Sequence, residues 1–388
     1  MGIQNVLKLF YTYSGLQLNC AKSEMYFTGI SRGDVEAIQQ AIGFKLGTLS
    51  VRYLGVPLIT RRLTTRDCSM LVDKITSRIQ SWTCKYLSYV GRLQLIQSVL
   101  LSIQNYWCRI FILPKGVIKK VNQICASFFW KGSDKLAHGA RVSWNDICHP
   151  KAEGGLGLKD SMSWNIACVL QNIWAIMAKA GSLWIAWLEA YMLKGRSFWL
   201  IPISSSCSWN FRKLLQLRTL AYRFVEWKDG VEVWKIQGSK YLAVSVWEEI
   251  RPRKARKEWH KLVWTSLSIT KHEVITWMGI LDRLPTLDHV ASWGIEVNSS
   301  CKLCQNEGET RDHLFFRCSY SNDVWISILQ LCGLNMRVMS WSDELVWAIR
   351  RLKGRALLES FHILHMEGKE SKNAWSSSGE FRANCGAS

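Results

Sequence analysis

Four residues constrain the folding of this chain more than any others: Cys301, Cys304, His313 and Cys318, spaced as C-x2-C-x8-H-x4-C. Three thiols and one imidazole within so short a span form a complete tetrahedral donor set for Zn²⁺, and a structural zinc site closes all four positions with protein atoms. The first pair suits a tight turn that aims two sulfurs at one point, and the polar residues 305–310 read as the knuckle that follows. Leu314, Phe315 and Phe316 lie between the last two donors, where they can seal one side of a metal. Such a site contributes on the order of 10 kcal/mol to local folding. The competing reading is a group of buried, unligated thiols, because the chain holds 13 cysteines. A catalytic zinc is disfavoured, since four protein donors leave no position for water.

Charge points to the partners. The chain has 50 Lys+Arg against 30 Asp+Glu, a net charge of +20, which favours polyanions: RNA, DNA, their hybrid, or an anionic membrane surface. No stretch is long and apolar enough to predict a membrane span. The N-terminus lacks the charged, apolar, small-residue order of a secretory signal, so an intracellular protein with reduced thiols is expected. The 21 tryptophans serve packing or base stacking, and Trp-rich helices could equally dock a protein. The densest basic run holds Arg251, Arg253, Lys254, Arg256 and Lys257, and reads as a phosphate-binding element, a nuclear-import element or a solvated linker.

The remaining pattern predicts a mainly α chain with small β elements (α+β). Residues 25–30 and 51–58 read as strands, the second ended by Pro57, with a short helix closed by Gly43 between them. Apolar positions three and four apart predict a helix through Leu71, Ile75 and Ile79, another over 89–100, and a third from Pro114 to Trp130. Lys74, Arg78, Arg92, Lys119 and Lys120, with Arg61 and Arg62 upstream, are candidate phosphate contacts on this bundle. Glu153-Gly154-Gly155-Leu156-Gly157 lacks the spacing of a phosphate loop and reads as a tight turn before helices at 161–180 and 184–192. An Asp229-Gly230 turn between apolar flanks predicts a hairpin.

Several of these segments resemble the reverse transcriptase of LINE-type (non-LTR) retrotransposons. Ser14-Gly15-Leu16-Gln17-Leu18-Asn19 with Lys22-Ser23, then Tyr53-Leu54-Gly55-Val56-Pro57-Leu58, look like the end of its palm. Trp144 through Cys148, the Gly-rich turn and the Cys/His set look like its downstream connection and zinc-binding region, with Trp325 as a further aromatic. The resemblance implies that Lys22 lies near the incoming nucleotide and that residues 53–55 belong to a hairpin gripping the primer end. It implies a helical thumb-like bundle followed by a small Cys/His zinc module. The expected division is 1–60 the end of the palm, 61–200 thumb and connection, 201–258 a linker with a β-hairpin and a basic patch, 259–349 the zinc-binding domain, and 350–388 a disordered tail; a nuclear location is expected. One departure matters. The family's paired aspartates, which hold the catalytic metals, should precede Ser14, where thirteen residues contain no acid, and no Asp-Asp pair occurs anywhere in the sequence. A non-catalytic remnant is therefore expected; the alternatives are a polymerase completed by a palm on another chain, and a protein-interaction module.

Overall fold

The computed structural model describes residues 2–27, 30–47, 51–59, 61–82, 87–133, 140–204, 207–228, 231–235, 241–265, 270–331 and 333–351. The chain is mainly helical, with three two-stranded sheets among the described residues. The expected tail boundary at 350 falls inside the helix Trp341–Arg351, and residues 352–388 lie outside the described residues.

The first sixty residues are thinly packed. Glu24–Met25 pairs parallel with Lys45–Leu46, and the helix Arg32–Ile42 crosses between them. Ser31 caps that helix by accepting from the Asp34 amide, and Gly43 closes it at φ +76°. Residues 51–58 are not the single strand the proline suggested. Leu54 and Gly55 both take left-handed φ, +50° and +82°, so Arg52–Tyr53 folds back antiparallel on Val56–Pro57. Leu54 is 73% exposed, so it is no core residue, and its carbonyl accepts from the Tyr106 hydroxyl at 2.9 Å.

The helical body begins with Ser69–Gln80, whose Leu71, Ile75 and Ile79 form its buried stripe. Ser88 caps Tyr89–Leu95, which runs through a wider turn at Ile96–Leu100 into Leu101–Ile110. Phe111 turns extended, and Pro114 starts Lys115–Lys131. Buried Asn165, on the helix Ser161–Met177, clamps this corner. It accepts from the Leu113 amide at 2.8 Å and donates to the Cys108 and Phe111 carbonyls at 3.0 and 2.8 Å. An Asn so placed meets three buried backbone groups that would otherwise lack partners.

Two apolar cores result. The larger joins Ile75, Leu100, Val121 and Phe128 of the helical body to Trp277, Met278, Phe316, Trp325 and Trp341 of the C-terminal third. Residues 259–349 therefore share their core with the body. The smaller gathers Leu170 and Ile173 with Leu188, Phe211, Leu214, Phe224, Trp234 and Trp247. The linker expected at 201–258 contains, besides the hairpin expected there (Val225–Lys228 with Val231–Trp234), the helices Trp209–Gln216 and Ala243–Ile250. Asp229 and Gly230, which predicted that pair, lie outside the described residues.

Candidate metal centre

The knuckle is built by backbone bonds before any side chain is considered. The Cys301 amide donates to the Glu307 carbonyl at 2.7 Å, and the Glu309 amide to the Ser299 carbonyl at 2.7 Å, closing a small loop. Within it, the Gln305 amide returns to the Cys301 carbonyl at 2.9 Å while Gln305 takes φ +61°. That turn brings Cys304 back beside Cys301. On the other side, His313–Arg317 forms a wide turn in which the Cys318 amide donates to the His313 carbonyl, five residues back, at 2.7 Å. Turns of this width favour functional positions, and here the geometry sets Cys318 beside His313.

The donor atoms of Cys301, Cys304, His313 and Cys318 all lie within 4.8 Å of one another. The Cys301 and Cys318 sulfurs are 4.0 Å apart, and the Cys304 sulfur is 3.2 Å from His313 Nε2. A tetrahedron with metal–sulfur bonds of ~2.3 Å has sulfur–sulfur edges of roughly 3.8 Å, so the residues present fit the ion their chemistry suggests. His313 Nδ1 contacts the Glu307 carboxylate at 2.9 Å, which orients the ring and turns Nε2 toward the sulfurs. Glu307 had no mark in the spacing to distinguish it from neighbouring Glu309.

Cys301, His313 and Cys318 are buried, and Cys304 is half-buried at the rim. The difference shows in their acidity. Amides of Asn306 and Glu307 donating to Cys304 draw its thiol down to about 6, whereas burial pushes Cys301 up to about 11. A cation at the centre would favour thiolates at all three sulfurs.

Phe315 and Phe316 seal the inner side, with ring centroids 5.2 and 5.7 Å from Trp341, and Phe316 5.9 Å from Trp325. Buried Trp325 donates to Glu344 at 3.2 Å. The whole assembly is tied to the body by Trp277, whose indole donates to the Gly154 carbonyl at 2.8 Å. Gly155 has no alternative there, since a Cβ would fall 2.1 Å from the His149 carbonyl oxygen.

Residues 241–325 match the family of zinc-binding in reverse transcriptase. The matched stretch contains all four donors and Trp325. Over 179 residues the chain is also 29% identical to a protein of Arabidopsis thaliana named "Putative ribonuclease H protein"; the alignment covers 45% of this chain and 29% of that relative's length.

The basic residues singled out from the sequence divide into two groups. Lys22, Arg62, Lys74, Arg78, Lys119, Lys120, Arg253, Arg256 and Lys257 are exposed. Lys74 and Arg78 lie on the exposed surface of their helix, flanking its buried stripe. The other four make hydrogen bonds or ion pairs within the fold, Arg61 and Lys254 while still exposed. Arg61 forks onto Asp67, 2.8 Å from each oxygen. Arg92 donates to the Phe129 and Trp130 carbonyls at the end of Lys115–Lys131, where a cation also meets the negative end of the helix dipole. Arg251 is buried, forked onto Glu153 at 2.8 and 2.6 Å and bonded to Glu248 at 2.8 Å. Lys254 bonds Asp146 through its ammonium, and its amide donates to Glu153 at 2.9 Å. Within the densest run, then, Arg251 and Lys254 anchor the chain, and Arg253, Arg256 and Lys257 are presented outward, Arg253 alongside Glu249 at 3.0 Å and Arg256 beside His260 at 3.2 Å. Among the described residues no helix is long and apolar enough to cross a membrane.

Proposed function

We propose that this chain is the thumb-like and zinc-binding part of a LINE-type (non-LTR) retrotransposon reverse transcriptase, that it binds RNA, DNA or their hybrid in the nucleus, and that it performs no chemistry by itself. The observation that carries the reading is the convergence of Cys301, Cys304, His313 and Cys318 inside the region that matches zinc-binding in reverse transcriptase. A Zn²⁺ ion there is structural: it supplies folding free energy and, with four protein donors, has no open position for a substrate.

Binding falls to the exposed cations. Lys74, Arg78, Lys119, Lys120, Arg253, Arg256 and Lys257 neutralise phosphates and release counterions, so affinity declines steeply as salt rises. The Leu54–Gly55 hairpin, held out by Tyr106, is the element that the family resemblance assigns to the primer end.

Filter binding of an RNA–DNA hybrid from low to high salt tests this. The proposal predicts tight binding at low salt and a linear fall in log affinity with log salt; no binding at low salt contradicts it. Primer extension by this chain alone, dependent on Mg²⁺, would contradict the non-catalytic claim.

A further inference from the structure

The helix Leu183–Trp187 and its continuation Leu188–Leu193 are apolar on two faces. Ile185, Leu188 and Leu193 are buried in the smaller core. The outward face, where a surface helix ordinarily carries polar residues, exposes Leu183, Trp184, Trp187 and Tyr191. Trp187 is 51% and Tyr191 64% exposed, and the pair, one turn apart, is stacked with centroids 5.8 Å apart and ring planes at 28°. The helix therefore presents two flat, accessible rings, stacked at 28° to each other, that do not contribute to either core.

The charge around them selects a partner. Exposed Lys194 and Arg196 follow the helix directly, and exposed Lys179 precedes it, whereas the helix's acid, Glu189, is half-buried. Lys194 takes φ +48° while its amide bonds the Glu189 carbonyl at 2.8 Å, fixing the path of the chain on which both cations sit. Aromatic faces bordered by cations suit unpaired nucleotides, whose bases offer free π-faces and whose phosphates need neutralising. A duplex keeps its base faces stacked internally and meets only the cations.

We propose that Trp187 and Tyr191 form a stacking platform for single-stranded nucleic acid, with Lys194 and Arg196 on the flanking phosphates. The inference rests on the nucleic-acid-binding reading above and specifies the strand form that this face takes.

The test measures equilibrium binding by the full chain of three ligands of equal length: oligo(U) RNA, oligo(dT) DNA and a blunt RNA–DNA hybrid. Trp187→Ala/Tyr191→Ala is expected to weaken both single strands about tenfold or more and the hybrid less than about twofold. Trp187→Phe/Tyr191→Phe, which keeps the flat faces, is expected to stay near wild type and guards against a folding artefact. Lys194→Ala/Arg196→Ala is expected to flatten the salt dependence of single-strand binding. Single-strand affinity unchanged in the alanine pair, or lost equally with the hybrid, overturns the platform. So does a size-exclusion dimer, or binding to anionic vesicles, that the alanine pair abolishes while strand binding persists. Failure of the wild type to bind any of the three ligands would instead remove the broader reading on which the platform depends.

Discussion

The knuckle at 301–318 and the segment at 2–58 differ in how they are held. In the knuckle, four donors lie within 4.8 Å of one another, two phenylalanines are buried against Trp341, and Trp277 fastens the neighbouring helix to Gly154. In the N-terminal segment Leu9, Phe10, Tyr13, Tyr53 and Leu54 are exposed, and the helix Arg32–Ile42 buries no residue. Its described anchorage to the body is slight: Val56 in the core and the Tyr106–Leu54 hydrogen bond. Clustered donors and buried aromatics hold the knuckle together, whereas the apolar residues of 2–58 meet little that could hold them.

The largest effect that could break this contrast is metal removal. Chelation should cost the knuckle on the order of 10 kcal/mol of local stability. Limited proteolysis should then cut rapidly within 299–318 while cleavage in 2–58 keeps its rate; equal rates in both segments would erase the distinction. Next, Trp277→Ala empties a fully buried site in the shared core and should cost about 3–5 kcal/mol, read as a large fall in Tm. A small fall would mean that the zinc-binding region and the helical body do not share a core.

Glu153 sharpens the comparison through pH. Arg251, donating two hydrogen bonds, holds its carboxyl down at about 2, below the ordinary 4.5. Because the folded state has the lower value, the stabilisation is fully present above about 4.5 and is lost as pH falls from there toward 2. Glu153→Gln should therefore lower stability near neutral pH by about 1.5–3 kcal/mol, with the gap to wild type closing as the solution is acidified. A pH-independent gap would assign the effect to packing. The smallest effect is expected at Tyr13→Ser, within about 0.5 kcal/mol, since Tyr13 is 82% exposed; a large loss would mean the N-terminal helix is packed more firmly than its exposure indicates.

What could be read from the sequence follows the same division. The donor set was legible because it is local: eighteen residues contain the whole pattern. The buried stripe of Ser69–Gln80 and the Gly43 cap were legible for the same reason, being set by residues within a turn or two. At 51–58 the residue pattern alone reads as one strand, because the turn requires a leucine in the left-handed region, which no local rule predicts; the hairpin at 53–55 was legible only through the family resemblance. The roles of Arg251 and Lys254 were hidden because their partners, Glu153 and Asp146, stand 98 and 108 residues away. A run of like charges looks uniform until its fixed acids are located. Packing across 201–258 was obscured in the same way, its apolar residues meeting a helix that lies earlier in the chain.

The most direct test of the account is the metal content of the purified protein by elemental analysis, for wild type, Cys301→Ser and His313→Ala. The account predicts one zinc per chain in the wild type and its loss in both variants. Zinc absent from the wild type, or retained in full by both variants, would contradict the claim that these four side chains form a single metal centre.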